Sequence, residues 1–198
     1  METKWNVDQI LWNSRESDFN IMCSGTTIGI IHYESSMIKP DEWDGVVKDY
    51  KFRLVHVKGK INPIVFSKNY EITERGVKVG NIYLDKEKKF IHSSKWIHLN
   101  RLGHEYKVPV TAEKEMTSFT IYDNESAVSC VHITRTSYDT GLMRFDITSE
   151  DELSAYIAIL VICYLFGSSV WSELMGYSAN VVNAIPNYTA RFASESSV

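Results

Sequence analysis

Two basic side chains, Lys51 and Arg53, carry the chemistry that the sequence indicates most directly. They are two residues apart in Tyr50–Val57, a run rich in strand-forming residues. Side chains two apart on a strand share a face, so both cations should point the same way. Paired cations of this kind can hold an anionic headgroup by charge-assisted hydrogen bonds. The competing interpretation is the outward polar face of an ordinary strand.

The distribution of charge supports an anionic ligand. The 198 residues carry a net charge of −4, but residues 48–107 hold 14 basic and 6 acidic side chains. The segments on either side, 1–47 and 108–198, have net charges of −5 and −7. A basic centre in an acidic chain favours an anionic partner, although lysines on solvent faces also keep sheets soluble. The further candidates for lipid contact are Lys86, Lys88 and Lys89.

Enzyme motifs are absent from the chain. No Walker loop, G-x-G-x-x-G, G-x-S-x-G or H-E-x-x-H pattern occurs, so we predict neither a catalytic residue nor a cofactor. Three histidines, His92, His98 and His104, recur every six residues, but the intervening turn residues break any shared face. We therefore place them on polar hairpin faces and predict no metal site.

The three cysteines, Cys23, Cys130 and Cys163, form no C-x-x-C pair. Neither a disulfide framework nor a zinc ribbon is supported, and a reducing compartment fits best. The first fifteen residues contain no apolar stretch of signal-peptide length. We expect a cytoplasmic protein.

The elements that must position these residues are mainly β-hairpins. Short runs rich in Val, Ile, Tyr, Phe and Thr alternate with turn residues from Phe19 to Ile147. Residues Met37–Gly45 hold a proline, a glycine and three acidic residues and are predicted as a loop. Pro63 and Pro109 should lie at strand ends or edges, and no internal repeat is sharp enough to indicate a propeller or solenoid. The predicted strands are Phe19–Ser24, Thr27–Tyr33, Tyr50–Val57, Ile61–Ser67, Tyr70–Thr73, Val77–Asp85, Lys89–His92, Trp96–Asn100, His104–Val110, Ser118–Tyr122, Ala127–Thr134 and Gly141–Ile147.

One helix follows the strands. Ser149 and Glu152 have the spacing of a capping box, and Leu153–Phe166 is apolar at every position except Ser154. A helix without a polar face must be buried all round or lie in lipid. The run of 14 residues is shorter than the roughly 20 that span a bilayer, so burial is favoured over spanning.

A barrel closed around the helix would bury it on every side and remove the sheet edges. We therefore predict a mainly β fold, an antiparallel barrel of about twelve strands enclosing a hydrophobic C-terminal helix. The barrel should cover residues 19–176, with the helix over about 150–166 and extending at most to 175. Residues 1–18 would be an N-terminal arm or short helix, because Val7, Ile10 and Leu11 have helical spacing. Residues 177–198 would be a C-terminal arm.

This order of elements resembles the tubby C-terminal domain superfamily, which includes the LURP-one-related proteins and phospholipid scramblases. The stretch Phe119–Asn124, followed by the strand Val128–Thr134, is similar to hairpins of these families. Gly141–Asp146 leads into the apolar helix as the corresponding scramblase region does. The chain lacks the scramblases' Pro-rich segment and cysteine cluster, and only Asp139 and Asp146 match their calcium-binding stretch. The resemblance therefore implies lipid binding rather than scrambling.

From these features we predict a non-enzymatic barrel module that binds anionic, phosphoinositide-like lipid at a cytoplasmic membrane surface. It would be peripheral rather than transmembrane, with no nucleic-acid partner. The alternative is a protein-interaction or inhibitory module that uses the barrel loops and the C-terminal arm, and a third, less favoured class is an enzyme with an unrecognised site. Screening by salt should separate the first two, because binding through several cations weakens as ionic strength rises. The oligomeric state stays open.

Overall fold

The computed structural model describes residues 2–12, 16–35, 41–57, 69–88, 93–110, 117–136 and 142–167. Along these residues twelve strands precede one helix. The elements are β1 (Thr3–Trp12), β2 (Glu16–Cys23), β3 (Thr26–Glu34), β4 (Glu42–Val47), β5 (Tyr50–Val57), β6 (Asn69–Glu74), β7 (Val77–Lys88), β8 (Ser93–Arg101), β9 (His104–Val110), β10 (Ser118–Asp123), β11 (Ser126–Arg135), β12 (Met143–Ser149) and α1 (Glu152–Gly167).

The strands form a closed antiparallel barrel. Each strand pairs with its neighbours in sequence, and β12 closes the sheet by pairing with β1, where Thr3 lies opposite Ser149. The predicted closed twelve-stranded barrel is confirmed. Ten of the predicted strands correspond to observed ones, while the predictions at residues 61–67 and 89–92 lie outside the described residues. Closure leaves no strand at an open sheet edge.

Helix α1 is buried in the barrel on every side. All side chains from Ser154 to Leu165 are buried, and residues 155–165 are at most 1% exposed. The ring of Phe166 lies 5.1 Å from Phe19 on β2 and 6.0 Å from Phe145 on β12. The predicted burial of the hydrophobic helix is therefore confirmed. No helix in the described part of the chain is long and apolar enough to cross a bilayer.

Tight turns join the strands at one end of the barrel, which we call the tight-turn end. Three of these turns have positive φ at both central residues, the conformation that suits two-residue hairpin loops. Helix α1 also begins at this end, where Glu152 pairs with Lys48, and it runs towards the opposite end. The three turns are Ser24-Gly25, Arg75-Gly76 and Leu102-Gly103, and single positive φ values occur at Lys48 and Asn124.

The barrel contains a threefold repeat in its strand register. The hairpins β2–β3, β6–β7 and β10–β11 each carry one register shift, placed directly after Ile21, Ile72 and Ile121, respectively. The next pairings are also equivalent, since Gly29 faces Val47, Gly80 faces Arg101 and Ser129 faces Ser149. The repeats are β2–β5, β6–β9 and β10–β12 completed by β1. This repeat lies in the backbone register, because most of the side chains at equivalent positions differ.

The N-terminal segment corrects a second prediction. Residues 3–12 form β1, a full barrel strand between β2 and β12, rather than an arm or short helix. The register shifts between Gln9 and Leu11, which interrupts the alternation of side chains around Ile10. This irregularity gave Val7, Ile10 and Leu11 a spacing that resembles a helix.

Two local predictions are also corrected. Glu42–Val47 forms β4, although its first four residues were predicted as loop, because Trp43 packs against Tyr33 with ring centroids 4.5 Å apart. The helix cap is Asp151 rather than Ser149, since the Asp151 carboxylate accepts the Ser154 N–H at 2.7 Å. Pro109 is the penultimate residue of β9, as expected for a strand end, and Pro63 lies outside the described residues.

Candidate docking face

The structure confirms that Lys51 and Arg53 share a face of β5. Both side chains point outward, while Phe52 and Leu54 alternate with them and are buried against the helix. The inward–outward alternation of side chains that the sequence predicts for this segment is therefore correct. The two cations nevertheless differ in their surroundings.

Arg53 is held by two carboxylates of the neighbouring strand β4. Its Nη2 atom lies 2.9 Å from a Glu42 carboxylate oxygen, and its Nε atom lies 3.2 Å from an Asp44 oxygen. Arg53 pairs with Asp44 across the strands, so this contact follows from register. With two anions beside one cation, the immediate surroundings of Arg53 are not basic, and a further anion is not favoured there.

The predicted lysines of β7 lie far from β5's cations. Strand β7 begins at Val77, beside the tight-turn end, and Lys86 and Lys88 are its ninth and eleventh residues beyond that point. At a rise of about 3.3 Å per residue, Lys86 is roughly 30 Å along the strand. Lys89 lies outside the described residues. Of the four candidates on described strands, Lys51 and Arg53 therefore lie near the tight-turn end, and Lys86 and Lys88 lie towards the opposite end.

Other cations of the basic segment are also engaged. The pKa of Lys48 is raised, chiefly by its hydrogen bond to Glu152, and Lys78 pairs with Glu71. Lys107 lies 3.1 Å from Glu105. Among the described side chains from 48 to 107, Lys51 and Arg75 are the cations without an ion pair. Among the described side chains of the segment, the unpaired positive charge therefore lies on these two residues.

Arg75 lies beside Lys51 at the tight-turn end. Its backbone N–H donates to the Lys51 carbonyl at 3.0 Å, and its Nη2 donates to the Asp49 carbonyl at 3.0 Å. These bonds hold the turn of β6–β7 against the turn of β4–β5. The remaining guanidinium donors of Arg75 and the amine of Lys51 are exposed to solvent.

Exposed apolar side chains adjoin these two cations. Ile30 and Val46 face each other across β3 and β4, and they are 56% and 48% exposed. Val46 in turn pairs with Lys51. Val77 follows the turn that contains Arg75 and is 65% exposed. We give the name docking face to the exposed residues at the tight-turn end of β3–β9, which are Ile30, Val46, Lys51, Arg75, Val77 and Leu102.

Leu102 is the most unusual residue of the docking face. It lies at the tip of the β8–β9 turn with φ of 50° and is 63% exposed. A bulky L-residue costs free energy in this left-handed region, where Gly, Asn and Asp are favoured. Leucine therefore gains neither burial nor favourable backbone geometry there. An exposed, strained apolar residue is a reason to suspect a role in binding.

A rigid cluster supports the docking face from below. The guanidinium of Arg101 binds the carboxylate of Glu74 with two hydrogen bonds, at 2.6 and 2.8 Å. Glu74 also accepts the Tyr156 hydroxyl at 3.0 Å, and the rings of Tyr156 and Tyr50 stack at 4.2 Å. The Glu74 hydrogen bond raises the pKa of Arg101, so this cation is fixed rather than available. Leu102 directly follows this anchored arginine.

Of the residues of the docking face, the sequence predicts only Lys51, and it does not identify Ile30, Val46, Arg75, Val77 or Leu102 as site residues. Gly76 and Gly103 indicate the turns themselves, but a leucine beside a turn glycine does not by itself indicate a binding site. The feature of the sequence that distinguishes Leu102 is its position directly before Gly103 in a turn, where polar residues are usual. Which cations remain unpaired could be seen only from cross-strand contacts.

In the part of the chain that the structure describes, no group of three or more His, Cys, Asp or Glu side chains could hold a metal ion. His98 bonds Glu105 at 2.9 Å and stacks on Tyr83, as a residue of a polar hairpin face, and His104 is exposed. His92 lies outside the described residues. Cys163 is buried in α1, and burial raises the pKa of its thiol.

A shallow groove of about 430 Å³ lies on another part of the wall, across β10, β11 and β12. Its lining includes the carboxylates of Glu2 and Glu150, which makes it unsuited to an anionic headgroup. Its remaining lining is Thr120, Ala127, Val128, Ser129, Cys130, Thr148 and Ser149.

Comparison with known proteins gave no match for the chain among protein-family models, curated proteins or solved structures. The resemblance to the tubby superfamily therefore stays a prediction, and the functional argument proceeds from the docking face.

Proposed function

We propose that the protein binds anionic lipid at a membrane surface, peripherally and on the cytoplasmic side, through the docking face. The observation that carries this proposal is that the exposed, left-handed Leu102, the exposed Val77 and the unpaired cations Lys51 and Arg75 all lie at the tight-turn end of the barrel. In this arrangement the apolar tips enter the headgroup boundary, and the cations contact phosphate groups. The resemblance to lipid-binding barrels points the same way.

The magnitudes fit weak, reversible docking. A basic residue near an anionic membrane contributes about 1 kcal/mol, and full burial of a Val or Leu side chain contributes about 1.5–3 kcal/mol. The binding free energy from two cations and two partly inserted side chains together is larger than the contribution of the cations or of the apolar side chains alone. Membrane association through a surface this small depends on both the cations and the apolar side chains. Removing either kind of residue should therefore weaken binding measurably.

The test is co-sedimentation of the protein with anionic and neutral liposomes. Lys51→Gln and Leu102→Asn should each weaken binding to anionic liposomes several-fold, and raised salt should weaken binding of the unaltered protein. Arg53→Gln is the control for charge, since Glu42 and Asp44 already neutralise Arg53. Val57→Asn is the control for apolar exposure, because Val57 is 45% exposed at the opposite end.

Each outcome decides the proposal. Loss of binding with Lys51→Gln and Leu102→Asn, together with unchanged controls, supports docking at this face. Equal loss with Arg53→Gln would return the site to the cation pair predicted from sequence. Unaltered protein that ignores anionic liposomes at low salt overturns lipid binding, and the alternative, a protein-interaction module, would take its place.

A further inference from the structure

One interface of the barrel is much shorter than the others. Strands β9 and β10 pair only at Lys107 with Tyr122 and at Tyr106 with Asp123. Every other pair of neighbouring strands is joined by at least five residue pairs. We name the unpaired part, Val108–Val110 opposite Phe119–Ile121, the seam.

The threefold register shows which pairs are missing at the seam. In the other two repeats, the interfaces β5–β6 and β1–β2 occupy the place of β9–β10. There Val55 pairs with Glu71 and Asp8 pairs with Asn20. The same register would set Pro109 opposite Thr120, and that pair is absent. The barrel thus contains its own two reference copies of the interface that the seam lacks.

Proline explains the interruption. The backbone N–H of Ile133 donates to the Thr117 carbonyl. The backbone groups of Thr117, Phe119 and Ile121 therefore point towards β11. Ser118 and Thr120 therefore direct their backbone groups towards β9. Pro109 has no N–H, so it cannot donate to the Thr120 carbonyl. In a closed barrel, where every strand has two neighbours, one such position breaks the ladder.

We infer that the barrel opens locally at the seam before it opens elsewhere. In this opening, β10 separates from the part of β9 that follows Lys107, which is Val108–Val110. Local opening begins where backbone hydrogen bonds are fewest. Apolar contacts still hold the seam closed, because Val108, Val110, Phe119 and Ile121 are all buried. Opening uncovers these side chains and the backbone edge of β10, and it leaves the other interfaces paired.

The test is amide hydrogen exchange, resolved by residue, in the unaltered protein. Three equivalent amides are compared, those of Thr120, Glu71 and Asn20. Thr120 should exchange at least about tenfold faster than the other two, as expected for opening below the global unfolding free energy. Equal protection of the three amides would overturn the inference without any variant being made.

Two reciprocal variants, which swap the residue types of positions 109 and 55, make this test more specific. Pro109→Val places the residue of the equivalent position, Val55, in the seam and should slow exchange at Thr120 by about tenfold or more. Val55→Pro should produce fast exchange at Glu71 and leave Asn20 unchanged. If Pro109→Val folds with the exchange at Thr120 unaltered, proline does not set the seam and the inference fails.

Discussion

The hydroxyl of Tyr70 donates a hydrogen bond to the carbonyl of Gly167 at 3.0 Å, joining β6 to the last residue of α1. The last four carbonyls of a helix have no partner within the helix. Tyr70 is fully buried, so its hydroxyl supplies one of these carbonyls with a donor where water does not reach. The barrel wall thereby caps the helix that it encloses.

Gly167→Ala should destabilise the protein. A Cβ at this position would lie 2.7 Å from both the Trp43 Nε1 and the Tyr70 hydroxyl, closer than real Cβ contacts allow. Overpacking of this kind costs about 1–3 kcal/mol, and urea unfolding measures it. Tyr70→Phe removes one of the two obstructing atoms, so the double variant should lose less than the sum of the single variants. Strict additivity would contradict the proposed crowding.

Ile159→Asp should prevent folding, because Ile159 is fully buried in the centre of α1. An unpaired buried carboxylate costs several kcal/mol, against a total stability of about 5–15 kcal/mol. Ile30→Asp introduces the same group at a position that is 56% exposed and should fold normally. Circular dichroism of the two variants checks this, and a folded Ile159→Asp protein would refute the enclosed helix.

The closed barrel and its central helix could be predicted because both follow from the apolar pattern. Leu153–Phe166 left no face for water, and the preceding hairpins were the material available to cover it. Strand β4 was missed because Glu42, Asp44 and Gly45 have turn composition, whereas packing of Trp43 inside the barrel decides the structure. The repeat was hidden since a register shift depends on backbone position and not on residue identity.

The site could be predicted only in part. Alternation along β5 placed Lys51 and Arg53 outward correctly, but the ion pairs of Arg53 depend on which strand lies beside it. The sequence predicts Glu42 and Asp44 in a loop, where they would not lie beside Arg53. Charge counted along a sequence gives an excess, while cross-strand pairing decides which cations are unpaired.

Stability should fall at alkaline pH. Burial is the main cause that raises the pKa of the Tyr70, Tyr156 and Tyr164 hydroxyls above the ordinary value of 10.0. A raised pKa in the folded state stabilises the protein below pH 10, and this stability is lost as pH rises towards the folded-state pKa. Each group should lower the unfolding free energy by about 1.4 kcal/mol per pH unit above 10.

Urea unfolding at a series of alkaline pH values measures this decline, and tyrosinate absorbance reports ionisation. Tyr70→Phe removes one ionising group and should make the decline less steep. An unfolding midpoint that stays constant as pH rises past 10 would show that these hydroxyls are not shielded from water.

Leu102→Asn should stabilise the fold while it weakens lipid binding. The left-handed conformation costs an L-residue roughly 1–2 kcal/mol, and asparagine adopts it more readily than leucine. Since Leu102 is 63% exposed, its removal sacrifices little burial, so the unfolding free energy should rise by about 1 kcal/mol. Asn124→Leu makes the reverse change at φ of 54° and should lower it. Urea unfolding measures both variants. If Leu102→Asn instead destabilises the protein, then Leu102 stabilises the barrel, and its exposure no longer argues for a binding role.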